Sequence, residues 1–265
     1  MKFAFVTTNL TDLWAEPRYN SERASQLLFG EIVRLGPVKN GYVKVFQTDE
    51  YTGWVDQRFL RPISRSASRL YNTEARHVVV RDRVKVMAEA GRPSAAPYLL
   101  FYGTRIMVRS AARGLAACRR PDGTEFKCRR SGLALVDNNS VRPPLGTAVV
   151  AEARRFVGVP YLWGGITTVG FDCSGLVRTV LGRFGVYVPR DTKDQIKIGR
   201  PVDREQVRTG DLLFFKRHVG FAMGRNHIVH SSVGGSGVRV NSLTPGSDDY
   251  RPDLDRDFAA ARRIL

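Results

Sequence analysis

Phe171-Asp172-Cys173-Ser174-Gly175 runs straight into Leu176, Val177, Val180, Leu181 and Phe184, apolar residues spaced as the stripe of an amphipathic helix. Cys173 then falls at the first helical position with Asp172 as N-cap, and Gly185 is a natural stop. Upstream, 148–157 reads as a helix ended by Gly158-Val159-Pro160, and a loop containing Trp163-Gly164-Gly165 leads to Asp172. Downstream, strands are expected over 211–215, 218–223 and 228–231, with 238–240 as a candidate fourth. A helix carrying the thiol, packed on an antiparallel sheet carrying histidines, is an α+β arrangement.

That arrangement points to a cysteine hydrolase. Cysteine attacks carbonyls as the thiolate, and a helix N-terminus beside a histidine lowers the thiol pKa. A second histidine can hold the first in one tautomer, completing a nucleophile, base and orienter set. The candidates are Cys173, His218 in His218-Val219-Gly220, and His230. Cys173 and His218 are expected to rest as a thiolate–imidazolium pair. Taken singly, each has a plainer reading, a buried thiol or a satisfied imidazole. His227 reads as a surface residue and His77 as the start of a β-rich block.

The first sixty or so residues read as five short strands with turn punctuation, among them the alternating Tyr42-Val43-Lys44-Val45-Phe46, which fits a small barrel. Residues 62–69 are polar and turn-rich and read as a connector. A second strand-rich block follows, ending near Val141-Arg142-Pro143-Pro144, where the proline pair marks a linker. No strong sequence repeat links the blocks. The expected organisation is a multi-domain chain: an all-β barrel over 1–64, another over 70–143, and an α+β catalytic domain over 144–265.

Length and composition agree. The chain has 265 residues, 43% hydrophobic and 25% charged, which is globular rather than disordered. Its net charge of +17 implies a positive field that attracts acidic partners. No zinc-ligand spacing, heptad zipper or RNA-binding aromatic pattern accompanies that charge, so dedicated nucleic-acid binding is not expected. No metal-ligand cluster is visible, so neither metal nor cofactor is expected. No apolar run of about 18 residues exists to span a membrane, and the N-terminal apolar run is too short for a signal-peptide core. The expectation is a cytoplasmic protein, or a secreted or wall-associated one if a signal was trimmed.

Three cysteines do not make a disulfide framework. Cys118 and Cys128 bracket the turn signal Pro121-Asp122-Gly123-Thr124, and a hairpin centred on Gly123 is expected to set them directly opposite each other. Cys173 is left over, as suits a reactive nucleophile.

Five ordered motifs resemble the NlpC-type cell-wall cysteine peptidase family: Tyr161-Leu162-Trp163-Gly164-Gly165, Asp172 to Gly175, Gly210-Asp211-Leu212, His218 to Gly220, and Val229-His230-Ser231. Leu13-Trp14-Ala15-Glu16-Pro17, Gln26 with Gly30-Glu31, and Tyr51-Thr52-Gly53-Trp54-Val55 resemble the first bacterial SH3-like domain of one subgroup, the γ-D-glutamyl-L-diamino acid endopeptidases. The resemblance implies two SH3-like barrels before the papain-like domain. It implies hydrolysis of the γ-D-glutamyl–diamino acid bond in peptidoglycan stem peptides bearing a free N-terminal L-Ala. It also implies that the first barrel covers one side of the catalytic cleft. Glu16 and Tyr51 are expected at the substrate's amino end, with Tyr161, Asp172 and Ser174. Arg190, Asp191 and Thr192 are expected to border the pocket, Arg190 as a candidate for a substrate carboxylate. Thr192 departs from the more usual serine. A wall-binding protein with a vestigial catalytic domain is the alternative, and the intact Cys173, His218 and His230 speak against it.

Within that reading, the Cys173 backbone N–H at the helix start, with Tyr161, would stabilise the tetrahedral oxyanion. Asp172 and Glu16 would supply the counter-charge for the substrate ammonium.

Overall fold

A computed structural model describes residues 2–87, 97–136 and 146–265; the expected proline linker at 141–144 lies outside them. The chain divides into two compact units, Met1–Asn138 and Asn139–Leu265.

Turn chemistry and two-residue alternation build the N-terminal unit. Its first sheet contains β1 (Phe3–Val6), β2 (Leu10–Trp14), β3 (Arg23–Leu28), β4 (Ile32–Lys39), β5 (Tyr42–Phe46), β6 (Thr52–Asp56) and β7 (Leu60–Ile63). Asn40 and Gly41, both at positive φ (51° and 78°), form the two-residue β4–β5 turn, a conformation asparagine and glycine accept most readily. In β5 and β6 alternate residues point inward, so Val43, Val45 and Val55 join Ala4, Val6, Leu13, Leu27 and Val33 in one core. The strand order is β3-β2-β6-β5-β4-β1-β7. Seven strands form where five were expected.

Residues 62–69 are not a plain connector. Ser64 accepts from the Ala67 N–H (3.1 Å) and starts α1 (Arg65–Glu74). The helix is polar on most of its surface, but Tyr71, with Ala75 just past its end, packs into a cluster with Phe5, Ile32 and Met107. That apolar pair is too sparse to reveal a helix by periodicity alone.

A second sheet follows: β8 (His77–Val79), β9 (Arg83–Met87), β10 (Leu99–Phe101), β11 (Arg105–Ala112), β12 (Leu115–Arg119), β13 (Glu125–Arg129) and β14 (Leu133–Leu135). Its order, β10-β9-β13-β12-β11-β8-β14, repeats the first sheet position for position, although no repeat shows in the sequence. Topology needs only alternation and turns, which many sequences supply. The Cys118/Cys128 expectation needs correction. The β12–β13 register pairs Cys118 with Phe126 and Ala116 with Cys128, so the cysteines sit two residues out of step. The turn is longer than expected, closed by Arg120 N–H to the Thr124 carbonyl (2.8 Å). Both are buried free thiols with Sγ atoms 3.7 Å apart.

The C-terminal unit holds α2 (Gly146–Arg154), a small ribbon of β15 (Ile166–Thr167) and β16 (Gly170–Phe171), α3 (Cys173–Arg183) and the short α4 (Thr192–Gln195). A six-stranded antiparallel sheet follows, built from β17 (Arg200–Val202), β18 (Leu212–Phe215), β19 (His218–Ala222), β20 (His227–Ser232), β21 (Gly237–Ser242) and, after α5 (Pro252–Arg256), β22 (Phe258–Arg263). The order is β17-β22-β18-β19-β20-β21, and α3 packs on β19 and β20. The four expected strands are present. Strand β22, Phe-Ala-Ala-Ala-Arg-Arg, carries no strand-like alternation and escaped the sequence reading. Asp211 fixes it there: the buried carboxylate accepts from Nε and Nη2 of Arg263, both at 2.7 Å. No helix among the described residues is long and apolar enough to cross a membrane.

Candidate active site

Glycine makes the entry to α3 feasible. Gly164 sits at φ +74° and donates its N–H to the Asp172 carboxylate (2.9 Å). Gly175 has no side chain because a Cβ there would lie 2.1 Å from the Gly165 carbonyl. The Trp-Gly-Gly loop and the Asp-Cys-Ser-Gly helix start therefore fold against each other as one piece. Asp172 caps the helix, accepting from Gly175 N–H at 2.6 Å, and Cys173 is the first residue of α3. A backbone N–H at that position has no acceptor within the helix and is free to meet an oxyanion.

The sulfur of Cys173 is buried. It lies 3.7 Å from the Thr192 hydroxyl and receives backbone N–H groups from Ser174 and Val219. Val219 immediately follows His218, so this contact brings the start of β19 to the thiol. Tyr161 stands beside the same group: burial, with Cys173 and Asp172 close by, pushes its hydroxyl pKa up, which keeps it a neutral donor. The structure thus brings Cys173, Tyr161 and Thr192 together.

His218 Nε2 lies 2.6 Å from His230 Nδ1, with the two rings edge to face. Gly220 permits this approach, since a Cβ on it would sit 2.7 Å from the His230 Cβ. A further residue, unforeseen from the sequence, completes the array. Asn241 on β21 places Oδ1 3.0 Å from His230 Nε2 and donates its own Nδ2–H to the Asp249 carbonyl (3.0 Å). That second bond fixes which way the amide faces. His230 must then carry its proton on Nε2 and accept at Nδ1, so His218 donates from Nε2 and keeps its lone pair on Nδ1. The chain of donors defines the base. Nothing in the local sequence around Asn241 marks it, because only the β20–β21 pairing delivers it to His230.

The pKa shifts at the site run against the expected ion pair. Burial pushes the Cys173 thiol up, Asp172 adds to that, and hydrogen bonds from Thr192, Val219 and Ser174 pull it only partly back. Burial first, then His230 and Arg251, lowers His218 to about 3. Burial, with Arg251 and Arg239, lowers His230 to about 4 against an opposing hydrogen bond from Asn241. Burial thus favours the neutral thiol and the neutral imidazoles. For an amide bound here, this array can pass the sulfur's proton to His218 Nδ1 as the S–C bond forms and on to the departing amine as the C–N bond breaks, with water then hydrolysing the thioester.

This has a consequence for stability. The unfolded imidazoles take protons as pH falls through 6.5, whereas in the fold His218 and His230 resist until about 3 and 4. Their contribution is complete above pH 6.5 and is lost as pH falls from there towards 4. Between pH 6 and 4.5 each group adds a slope of about 1.4 kcal/mol per pH unit. Urea unfolding over that range should show a shallower dependence for His230→Gln than for the native chain; equal slopes would refute the depressed pKa.

Asp172 and Arg190 bind each other. The Arg190 guanidinium, 2% exposed, forks onto both oxygens of Asp172 (3.1 and 2.6 Å) and also reaches Ser174 Oγ at 2.9 Å. With Gly164, Gly175 and the Ser174 hydroxyl, Asp172 thus accepts from every side, so it is not an unpaired counter-ion. Arg190 is likewise turned inward rather than towards a substrate carboxylate. Both shape the wall behind the thiol. Gln195, also unforeseen, ties this wall to α3 by donating to the carbonyls of Ser174 (3.1 Å) and Pro189 (2.8 Å). Asp191 precedes α4 and lies 3.8 Å from Lys193. Glu16 and Tyr51 belong to the N-terminal unit. Glu16 is exposed and pairs with Arg18 (2.8 Å), and the Tyr51 hydroxyl donates to the Ala24 carbonyl (3.2 Å). Among the described residues no His, Cys, Asp and Glu group is placed to hold a metal ion.

Comparison with known proteins places this geometry. Residues 158–250 match the NlpC/P60 family, and residues 13–60 match the bacterial dipeptidyl-peptidase Sh3 domain. The chain is 26% identical over 259 residues to a gamma-D-glutamyl-L-lysine dipeptidyl-peptidase of Bacillus cereus, covering 91% of this chain and 75% of that protein. It is 41% identical over 123 residues to the murein DD-endopeptidase MepS/murein LD-carboxypeptidase of Escherichia coli K12, covering 44% of this chain and 62% of that protein, less than two thirds of its length. The crystal structure of an NlpC/P60 family protein from Bacillus cereus ATCC 10987 shares the fold with a TM-score of 0.81 at 22% identity, covering 99% of both chains. With its thiol, paired imidazoles and N-terminal SH3-type domain, the chain belongs to the NlpC/P60 family of cell-wall cysteine peptidases.

Proposed function

We propose that the protein hydrolyses the γ-D-glutamyl–diamino acid bond of peptidoglycan stem peptides that carry a free N-terminal L-Ala. One observation carries this reading. The relative named for γ-D-glutamyl-L-lysine cleavage aligns over both units of the chain, not over the catalytic unit alone. The chemistry agrees, because Cys173, His218 and His230 supply nucleophile, base and orienter for an amide whose carbonyl reaches the start of α3. By its strand order, we assign the second sheet as a further SH3-type barrel.

Within the C-terminal unit, recognition of the free amine falls to the neutral Tyr161, beside the Asp172–Arg190 pair. The test is incubation with L-Ala-γ-D-Glu-diamino acid tripeptide and its N-acetylated form, followed by mass analysis. Release of the free diamino acid and L-Ala-D-Glu is expected, with the acetylated peptide turned over at least about tenfold more slowly. Equal turnover of the two would refute amine recognition, and cleavage elsewhere in the peptide would refute the bond assignment.

A further inference from the structure

Gly210-Asp211-Leu212 is a sequence motif that the reacting centre leaves unused. Asp211 stands just before β18, whose other end, Phe215, pairs with His218. Four residues of extended chain set the two ends about 13 Å apart along the sheet. The buried Asp211 carboxylate organises two arginines there. Arg263 donates to it from Nε and Nη2, both at 2.7 Å, and the Arg208 backbone N–H donates at 2.8 Å. Arg263 Nη2 also donates to the Gln206 carbonyl at 3.1 Å. The Arg263 guanidinium is thereby pinned, with Nη1 the terminal nitrogen left without a hydrogen bond among the described residues.

A cleft of about 370 Å³ opens beside this anchor, and Arg200, Glu205, Arg208, Arg225 and Arg263 stand in its wall. The arginines arrive from separate pieces of chain: Arg200 from the edge strand β17, Arg208 from the loop before β18, and Arg225 from the β19–β20 turn. Those three are exposed, and among the described residues none has a carboxylate partner, nor has Glu205 a cation. Nearby arginines do pair, Arg204 with Asp255 and Arg256 with Asp257. The β17–β22 register also sets Arg200 directly opposite Arg263, and like charges so placed repel. Asp211 balances Arg263 alone. Three unpaired guanidiniums therefore share the cleft with one carboxylate, an excess of two positive charges.

We propose that this cleft binds a phosphate dianion, free or as the monoester of a small molecule, at a site separate from the thiol and the imidazoles. Two negative charges match the excess of positive charge. The shape matches as well. A tetrahedral phosphate presents oxygens in several directions and accepts from guanidiniums converging on it, whereas a planar carboxylate is used up by a single arginine fork. The pinned Arg263 gives the ligand a fixed donor, and Arg208 and Arg225 close on it from the loop and the turn. Bound phosphate also screens Arg200 from Arg263, so the filled site stabilises the fold.

The experiment is calorimetric titration of the full chain with inorganic phosphate and with glycerol 3-phosphate, at a pH where both are dianions and at an ionic strength held constant with chloride. One saturable site per chain is expected, with a melting temperature that rises as the site fills. Arg208→Gln and Arg225→Gln should each weaken binding by about fivefold, the scale of one partly exposed charge pair. Arg154→Gln removes the same charge from the end of α2, outside the cleft, and should change the affinity by less than about twofold. All three side chains are exposed, and melting curves confirm that the variants fold. Equal affinity for the two ligands assigns the site to a monoester, and a preference for inorganic phosphate assigns it to the free ion. Absence of saturable binding by either ligand, or equal weakening by Arg154→Gln, overturns the site and leaves only the diffuse field of a chain with net charge +17.

Discussion

Cys173→Ala should lower kcat/KM for stem-peptide hydrolysis by at least about 10⁴-fold, while thermal unfolding of the variant matches or exceeds the native. In the proposed reaction the sulfur is the attacking atom, and neither Thr192 nor Ser174 can replace it. The Thr192 hydroxyl is 3.7 Å from the sulfur, on the short helix α4, and the Ser174 hydroxyl is bonded to Asp172 and Arg190. Stability should survive because the thiol is buried as a neutral group, and alanine removes a single atom without leaving a charge unpaired. The decisive comparison is single-turnover hydrolysis set beside a melting curve. Residual activity within tenfold of native would place the nucleophile elsewhere.

Arg190→Met should destabilise the C-terminal unit by about 3 kcal/mol, the lower end of the range for breaking a buried ion pair. Arg190 and Asp172 are both buried and bound through two hydrogen bonds, and among the described residues Asp172 has no other cation within ion-pair distance. The lower end applies because Gly164, Gly175 and Ser174 continue to donate to the carboxylate. Arg190→Lys should recover part of the loss, since lysine restores the charge but not the planar fork. Urea denaturation followed by tryptophan fluorescence reads the change. A loss below 1 kcal/mol would mean that the pair is solvated and that Arg190 remains available to a substrate. Activity should fall with stability, because the wall that Arg190 braces carries both the Asp172 cap and the approach to the thiol.

The Asp172–Arg190 pair and the Asn241 contact show where sequence reading stops. Asp172 announces itself as an N-cap because capping needs only a short polar side chain three residues before the N–H it accepts. Its pairing with Arg190, eighteen residues away, depends on how the 186–192 segment returns across α3. The second sheet teaches the same lesson. Its strands were visible by alternation, but its agreement with the first sheet is a matter of long-range pairing. The Cys118–Cys128 offset arises because a turn signal locates a hairpin more securely than it fixes the register.

By itself, the sequence determined the helix that begins at Cys173, the strands bearing His218 and His230, and the glycines that let these elements meet. Each follows from contacts between residues a few positions apart. Tertiary structure alone decided the charge on the thiol, the tautomer of the base and the inward turn of Arg190. Those depend on dielectric surroundings and on partners brought from distant strands, and such quantities exist only after the chain has excluded water.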